Sequence, residues 1–191
     1  LKCSIGEVSN RIQASELQDK GVLANCHVNV LQTQDHPQFK TYGEELKWLT
    51  TDSNRMTWVA KTIQDIATSG NTLILVDRIS AGEILEKKIK DAVFVSGSTK
   101  NTDRKEQYDE ISTATNKVII ATYGVAAVGI NIPRIFNLVL IEPGKSFVRV
   151  IQSIGRGIRK AEDKDSVQIW DITSSCKFAK RHLGARKKFY K

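Results

Sequence analysis

From Thr51 onward the chain alternates between two kinds of segment. Short, almost wholly apolar runs occur at Thr72-Leu73-Ile74-Leu75-Val76, Ala92-Val93-Phe94-Val95-Ser96, Lys117–Thr122 (Lys-Val-Ile-Ile-Ala-Thr), Asn137-Leu138-Val139-Leu140-Ile141 and Ser166–Ile172 (Ser-Val-Gln-Ile-Trp-Asp-Ile). Between them lie stretches with apolar positions at helical spacing, such as Trp58, Val59, Ile63 and Ile66. Asp52 or Ser53 is placed to cap a helix from about Arg55 to Ser69, which Gly70 stops. Further helices are expected over Ala81–Ile89, from Thr102 to about Thr113, and around Gln152. Strands that are apolar throughout, rather than at every second position, are covered on both faces. The expected fold is therefore α/β, an open parallel sheet sandwiched by helices.

Residues 1–50 are less regular. Ser15–Gly21 has the pattern of a short helix closed by glycine, Cys26–Leu31 alternates like a strand, and His36-Pro37 and Tyr42-Gly43 break the pattern. This part is expected to be a connecting segment, with one domain over 51–175 and a basic tail over 176–191. The opening Leu-Lys-Cys-Ser-Ile-Gly is neither a leader nor an initiator sequence, and an internal boundary is expected there.

In a parallel sheet, ligands gather beyond the carboxyl ends of the strands. That places Asp77-Arg78, Ser96–Lys100, Thr122-Tyr123-Gly124 and Glu142–Ser146 on one rim. Ser98, Thr99 and Lys100 form a small polar loop that could hold a backbone phosphate, or could be an ordinary turn with helix-capping residues. The run Ala121–Pro133, with Gly124, Gly129 and Asn131, has too little bulk for a core helix and is expected to be a site loop. In Val150–Lys160, Gln152, Arg156 and Arg159 share one helical face at i, i+4 and i+7. Gly155 and Gly157 beside them mark a close approach of the backbone to something else. Two forked guanidiniums on one face are suited to an anion.

Charge sharpens the nature of that anion. The 191 residues hold 29 Lys and Arg against 21 Asp and Glu, for a net charge of +8 and a pI near 9.4, which favours a polyanionic partner. Lys177, Lys180, Arg181, Arg186, Lys187, Lys188 and Lys191 lie in a final stretch without Asp or Glu. They form either a solvated helix or a tracker of nucleic-acid phosphates. Three scattered cysteines give no disulfide framework and no zinc spacing, so a reduced, cytoplasmic chain without its own metal is expected. No apolar run approaches a membrane span. No G-x-x-x-x-G-K-[ST] loop is present: Gly144-Lys145-Ser146 has Val139 where the first glycine belongs.

The order of Leu73–Val76, Val95-Ser96-Gly97, Ile119–Thr122 with Gly129-Ile130-Asn131-Ile132-Pro133, and Gln152-Ser153-Ile154-Gly155-Arg156-Gly157-Ile158-Arg159 resembles motifs IV, IVa, V and VI of the second RecA-like domain of superfamily 2 helicases. The last stretch is most similar to the UvsW-type phage recombination and repair helicases. The resemblance implies a P-loop NTPase-like fold and ATP with Mg²⁺ bound mainly by a preceding RecA-like domain. It implies that Arg156 and Arg159 reach that triphosphate as arginine fingers, with Gln152 coupling nucleotide state to the cleft and Gly129 and Asn131 near the nucleotide. Asn131 stands where many relatives carry Asp. DNA, single-stranded or branched, is the implied partner, contacted by Arg78, Ser98, Thr99, Lys100 and Thr122, with Lys180, Arg181, Arg186, Lys187 and Lys188 as candidate phosphate contacts in the tail. The other reading, from charge alone, is a stand-alone basic α/β domain that binds nucleic acid without a nucleotide.

Overall fold

A computed structural model describes residues 8–13, 26–97, 106, 116–127, 135–144 and 167–188. Seven strands form one sheet: β1 (Val8–Gln13), β2 (Cys26–Thr33), β3 (Thr72–Val76), β4 (Val93–Val95), β5 (Val118–Thr122), β6 (Asn137–Ile141) and β7 (Val167–Ser174). The described helices are α1 (Tyr42–Thr51), α2 (Ser53–Ala67), α3 (Ile79–Lys88), α4 (Tyr123–Ala127) and α5 (Lys177–Lys187). The strand order is β1-β2-β7-β6-β3-β5-β4. All neighbours pair in parallel except β1, which runs antiparallel on β2 at the edge.

The continuous apolar character of the strands has the expected cause. Every residue of β3 and of β6 is buried. Leu73, Leu75, Leu138 and Leu140 face one side, with Val125 and Ala126 of α4 and Leu183 of α5. Ile74, Val76, Val139 and Ile141 face the other, with Met56, Val59 and Ile63 of α2 and Ala81 and Leu85 of α3. Burying one such side chain contributes on the order of 1.5–3 kcal/mol, so the two layers of apolar contact fix the sheet between helices.

Two helix boundaries follow local chemistry. Asp52 caps α2 by accepting from Arg55 N at 3.0 Å. Gly70 follows the end of α2 with a φ of 152°, and a Cβ there would lie 2.8 Å from the Phe136 side chain, so only glycine fits this turn.

The domain limits differ from those expected. Strand β2 pairs with β7 over its full length, from Cys26–Val167 to Thr33–Ser174, so residues 26–51 are part of the domain rather than a connector. Helix α1 was hidden by Tyr42-Gly43, yet Thr41 caps it by accepting from Glu44 N at 3.3 Å. Helix α5 is likewise built in: Ala179, His182, Leu183 and Arg186 are buried along one face. Within the expected site loop, residues 123–127 form α4 and bury Val125 and Ala126, because small side chains let a short helix lie close against the sheet. The helices expected at 15–20 and around Gln152, and nearly all of that expected over 102–113, lie outside the described residues.

Candidate functional site

Because β2 to β7 are parallel, the ends of β2, β3, β4, β5, β6 and β7 share one rim. At its centre are two buried guanidiniums. Arg55, in the first turn of α2, donates from Nη2 to Glu142 Oε1 at 2.7 Å, to Thr33 Oγ1 at 3.3 Å and to the Thr173 carbonyl at 3.2 Å. Its Nη1 donates to the Leu49 carbonyl at the end of α1, at 3.3 Å. Among the described residues its Nε has no hydrogen-bond partner, and it lies 3.8 Å from Asp35 Oδ2. The arginine thus joins α1, α2, β2, β6 and β7.

The second guanidinium is Arg186. Its Nε and Nη2 donate to the two oxygens of Asp171, at 2.8 and 3.0 Å, in the forked geometry that only arginine offers. Its Nη1 donates to the Pro143 carbonyl. Arg186 is 2% exposed and Asp171 0%. Arg186 is therefore withdrawn from the expected nucleic-acid contacts: its charge is spent on a buried carboxylate.

Between the two sits Glu142, the first residue past β6, with a φ of 45°. A non-glycine residue in that region costs on the order of 1–3 kcal/mol and persists only where its surroundings hold it. Here the Glu142 N–H donates to the Ile172 carbonyl at 2.9 Å, and Oε2 accepts from Thr173 Oγ1 at 3.2 Å. Burial pushes the Glu142 carboxyl up to about 7, against the opposing pull of Arg55 and Arg186. Tyr123 is half-buried and packs against the core. It donates to the Ile141 carbonyl at 3.0 Å, and burial, with Asp171 adding, holds its hydroxyl well above the usual range.

Of the expected site residues, Arg78 is half-buried at the end of β3 and donates to the Gly43 carbonyl at 3.3 Å. Thr122 ends β5 and accepts from Val125 N at 3.3 Å, which caps α4. Lys180, Arg181 and Lys188 are exposed, and Lys187 is half-exposed. Lys177 and Lys180 line an open cleft of about 630 Å³ with His36 and Ser175. A neighbouring cleft of about 430 Å³ is walled by Trp48, Trp58 and Arg55. Phe178 lies beneath Lys177 and Arg181, with its ring 5.5 and 5.8 Å from their charged ends. Ser98, Thr99, Lys100, Gly129, Asn131, Gln152, Arg156 and Arg159 lie outside the described residues.

Sequence reasoning missed Arg55, Asp171, Asp35 and Glu45. Glu45 is buried and its carboxylate accepts from Phe178 N at 3.0 Å and Ala179 N at 2.8 Å, so a residue of α1 caps α5. One signal for Arg186 was available: it falls seven residues after Ala179, on the stripe that also holds His182 and Leu183.

Residues 54–161 match the family described as "Helicase conserved C-terminal domain". The chain is 27% identical over 195 residues to the ATP-dependent DNA helicase uvsW of Enterobacteria phage T4, covering 96% of this chain and 39% of that protein. The crystal structure of T4 UvsW superposes with a TM-score of 0.69 at 25% identity, over 78% of this chain and 35% of that one. Putative helicase 22 of a Sulfolobus islandicus filamentous virus is 32% identical over 104 residues, covering 52% of this chain and 18% of that protein. The fold alone is shared with S. cerevisiae Dbp5, at a TM-score of 0.56 and 21% identity, over 72% of this chain and 36% of that one. The chain thus spans well under half the length of these relatives. With more than half of its residues matched and six parallel strands layered between helices, it belongs to the helicase conserved C-terminal domain family.

Proposed function

We propose that this chain is the C-terminal half of an ATP-dependent DNA helicase or translocase of superfamily 2, acting on branched or duplex DNA. The observation that carries the reading is the family match, which encloses Gln152, Arg156 and Arg159. ATP is then the substrate, held with Mg²⁺ by a preceding RecA-like domain. The described residues of this chain do not by themselves fit a nucleotide–metal site. The sequence has no G-x-x-x-x-G-K-[ST] loop, and among the described residues no group of three or more His, Cys, Asp or Glu could hold a metal ion.

What the chain supplies is fixed positive charge. Arg156 and Arg159 offer guanidiniums to the γ-phosphoryl as charge develops there, an effect worth about 10³–10⁵ in rate where such fingers have been removed. Gln152 couples nucleotide state to the cleft, with Gly129 and Asn131 close to the nucleotide. Arg78, Ser98, Thr99, Lys100 and Thr122 hold strand phosphates, and Lys180, Arg181, Lys187 and Lys188 extend the electrostatic surface. Closure of the two domains on ATP and reopening after hydrolysis moves the protein along the strand.

The test uses the parent protein with Arg156→Ala and Arg159→Ala. The expected result is loss of DNA-stimulated ATP turnover with DNA affinity kept within a few-fold. Weakened DNA binding with turnover per bound complex intact would instead support a nucleic-acid-binding domain uncoupled from nucleotide.

A further inference from the structure

The two clefts at the β2 and β7 end of the rim share one wall, the turn Asp35-His36-Pro37. That wall is pinned to the strand ends. Asp35 Oδ2 accepts from Thr33 Oγ1 at 2.6 Å and from Ser174 Oγ at 2.5 Å, and Asp35 N donates to Ser175 Oγ at 2.9 Å. On one side of it, the cleft of about 430 Å³ is lined by Trp48 of α1 and Trp58 of α2, both only half-buried. On the other side, the cleft of about 630 Å³ is lined by Phe39 and by the exposed Lys177 and Lys180 of α5. Phe39 and Trp48 are in ring contact, their centroids 5.8 Å apart, so an aromatic ridge runs from one cleft into the other.

The first cleft has the chemistry of a site for a flat ring. Its two carboxylates are already engaged, Asp35 by the hydroxyls of Thr33 and Ser174 and Asp52 as the cap of α2. Arg55 also lines it, and Arg55 Nε is a buried donor with no hydrogen-bond partner among the described residues. A planar ligand that brings an acceptor would stack on the indoles and offer that donor the bond it lacks. Nucleobases have this form. The second cleft adds ammonium groups suited to a phosphate. A stacking platform beside an electrostatic groove is how single strands are held without regard to sequence. Arg181, also exposed, continues the cations along α5, which suits a strand with several phosphates better than a free nucleotide. We propose that the Trp48–Trp58 cleft takes an unstacked base of a single strand while Lys177 and Lys180 hold the adjoining phosphates. This rests on the nucleic-acid part of the proposed function and is independent of the arginine fingers.

The experiment is a fluorescence-anisotropy titration of the parent protein, without ATP, using a labelled oligothymidylate and an abasic oligomer of the same length. The two carry the same phosphates, and only the first has bases. The parent is expected to prefer the oligothymidylate. Trp58→Ala or Trp48→Ala should lower that affinity about 5- to 150-fold while abasic binding stays within about twofold. Trp58→Phe, which keeps a stacking face, should restore most of the preference. Near-ultraviolet circular dichroism and Tm establish that each variant is folded. Trp48→Leu, which keeps apolar volume beside Phe39, is the second variant should Trp48→Ala not fold, and the same base-specific loss is expected of it. Replacing Lys177 and Lys180 together by alanine should weaken binding of both oligomers and reduce the salt slope by about 0.7 for each phosphate released. Equal affinity of the parent for the two oligomers, or folded tryptophan variants that lose both alike, would overturn the base cleft while leaving the nucleic-acid reading intact. Displacement of the oligothymidylate by an equal concentration of thymidine monophosphate or of a glutamate-rich peptide would also overturn it, assigning the cleft to a free nucleotide or to an acidic protein segment. Failure of the parent to bind either oligomer, or duplex or branched DNA, would overturn the underlying reading and this proposal with it.

Discussion

Glu142 gives the chain a pH dependence that can be isolated. Its carboxyl is pushed from an ordinary value of 4.5 to about 7, chiefly by burial, with Arg55 and Arg186 pulling the other way. Between those values the folded chain holds a proton that the unfolded chain releases. The contribution is therefore fully present below about 4.5 and is lost as the pH rises through about 7. At about 1.4 kcal/mol per pH unit, that difference amounts to about 3 kcal/mol. Glu142→Gln removes the titration while keeping the shape and an oxygen for Arg55. Urea unfolding of both proteins at pH 5, 6, 7 and 8 should show the variant gaining on the parent by up to about 3 kcal/mol as the pH rises, with most of the change between 5 and 7. Other titrating groups are common to both proteins and cancel in the difference. Parallel stability curves across this range would refute the reasoning, because they would mean that Glu142 titrates alike in the folded and unfolded chains.

Gly70→Ala should lower stability by about 1–3 kcal/mol, since the φ of 152° is strained for alanine and its Cβ would meet Phe136 at 2.8 Å; thermal unfolding measures it. Replacing the exposed Lys180 and Arg181 together by alanine should weaken DNA binding by the parent protein and reduce the slope of log K against log salt by about 0.9 for each duplex phosphate that is no longer neutralised. An unchanged slope would remove α5 from the DNA-binding surface.

The parts of the fold legible in the sequence are those in which local pattern and global environment agree. β3 and β6 are buried on both faces and read as apolar throughout, and Gly70 marks the end of α2 because no other residue fits that turn. The parts that were not legible depend on partners far along the chain. Arg55 is one arginine in a helical first turn until Glu142, 87 residues later, is brought against it. Arg186 stands in a run of cations and is set apart from Lys187 by its fork and by facing the sheet, where Asp171 receives it. Tyr123 and Val125 belong to a stretch whose small residues suit a loop, and their burial is decided by the sheet below them. The rim itself was legible, because parallel strands place their carboxyl ends together. The buried ion pairs at its centre were not.

In the proposed reading this chain supplies one side of a divided ATP site. ATP hydrolysis by the 191-residue chain, alone and then joined to the proposed preceding RecA-like domain, tests that reading most directly, each with saturating DNA. The divided site predicts no appreciable turnover from the chain alone and DNA-stimulated turnover from the joined protein, abolished by Arg156→Ala. Robust, Arg156-dependent turnover by the isolated 191 residues would contradict it.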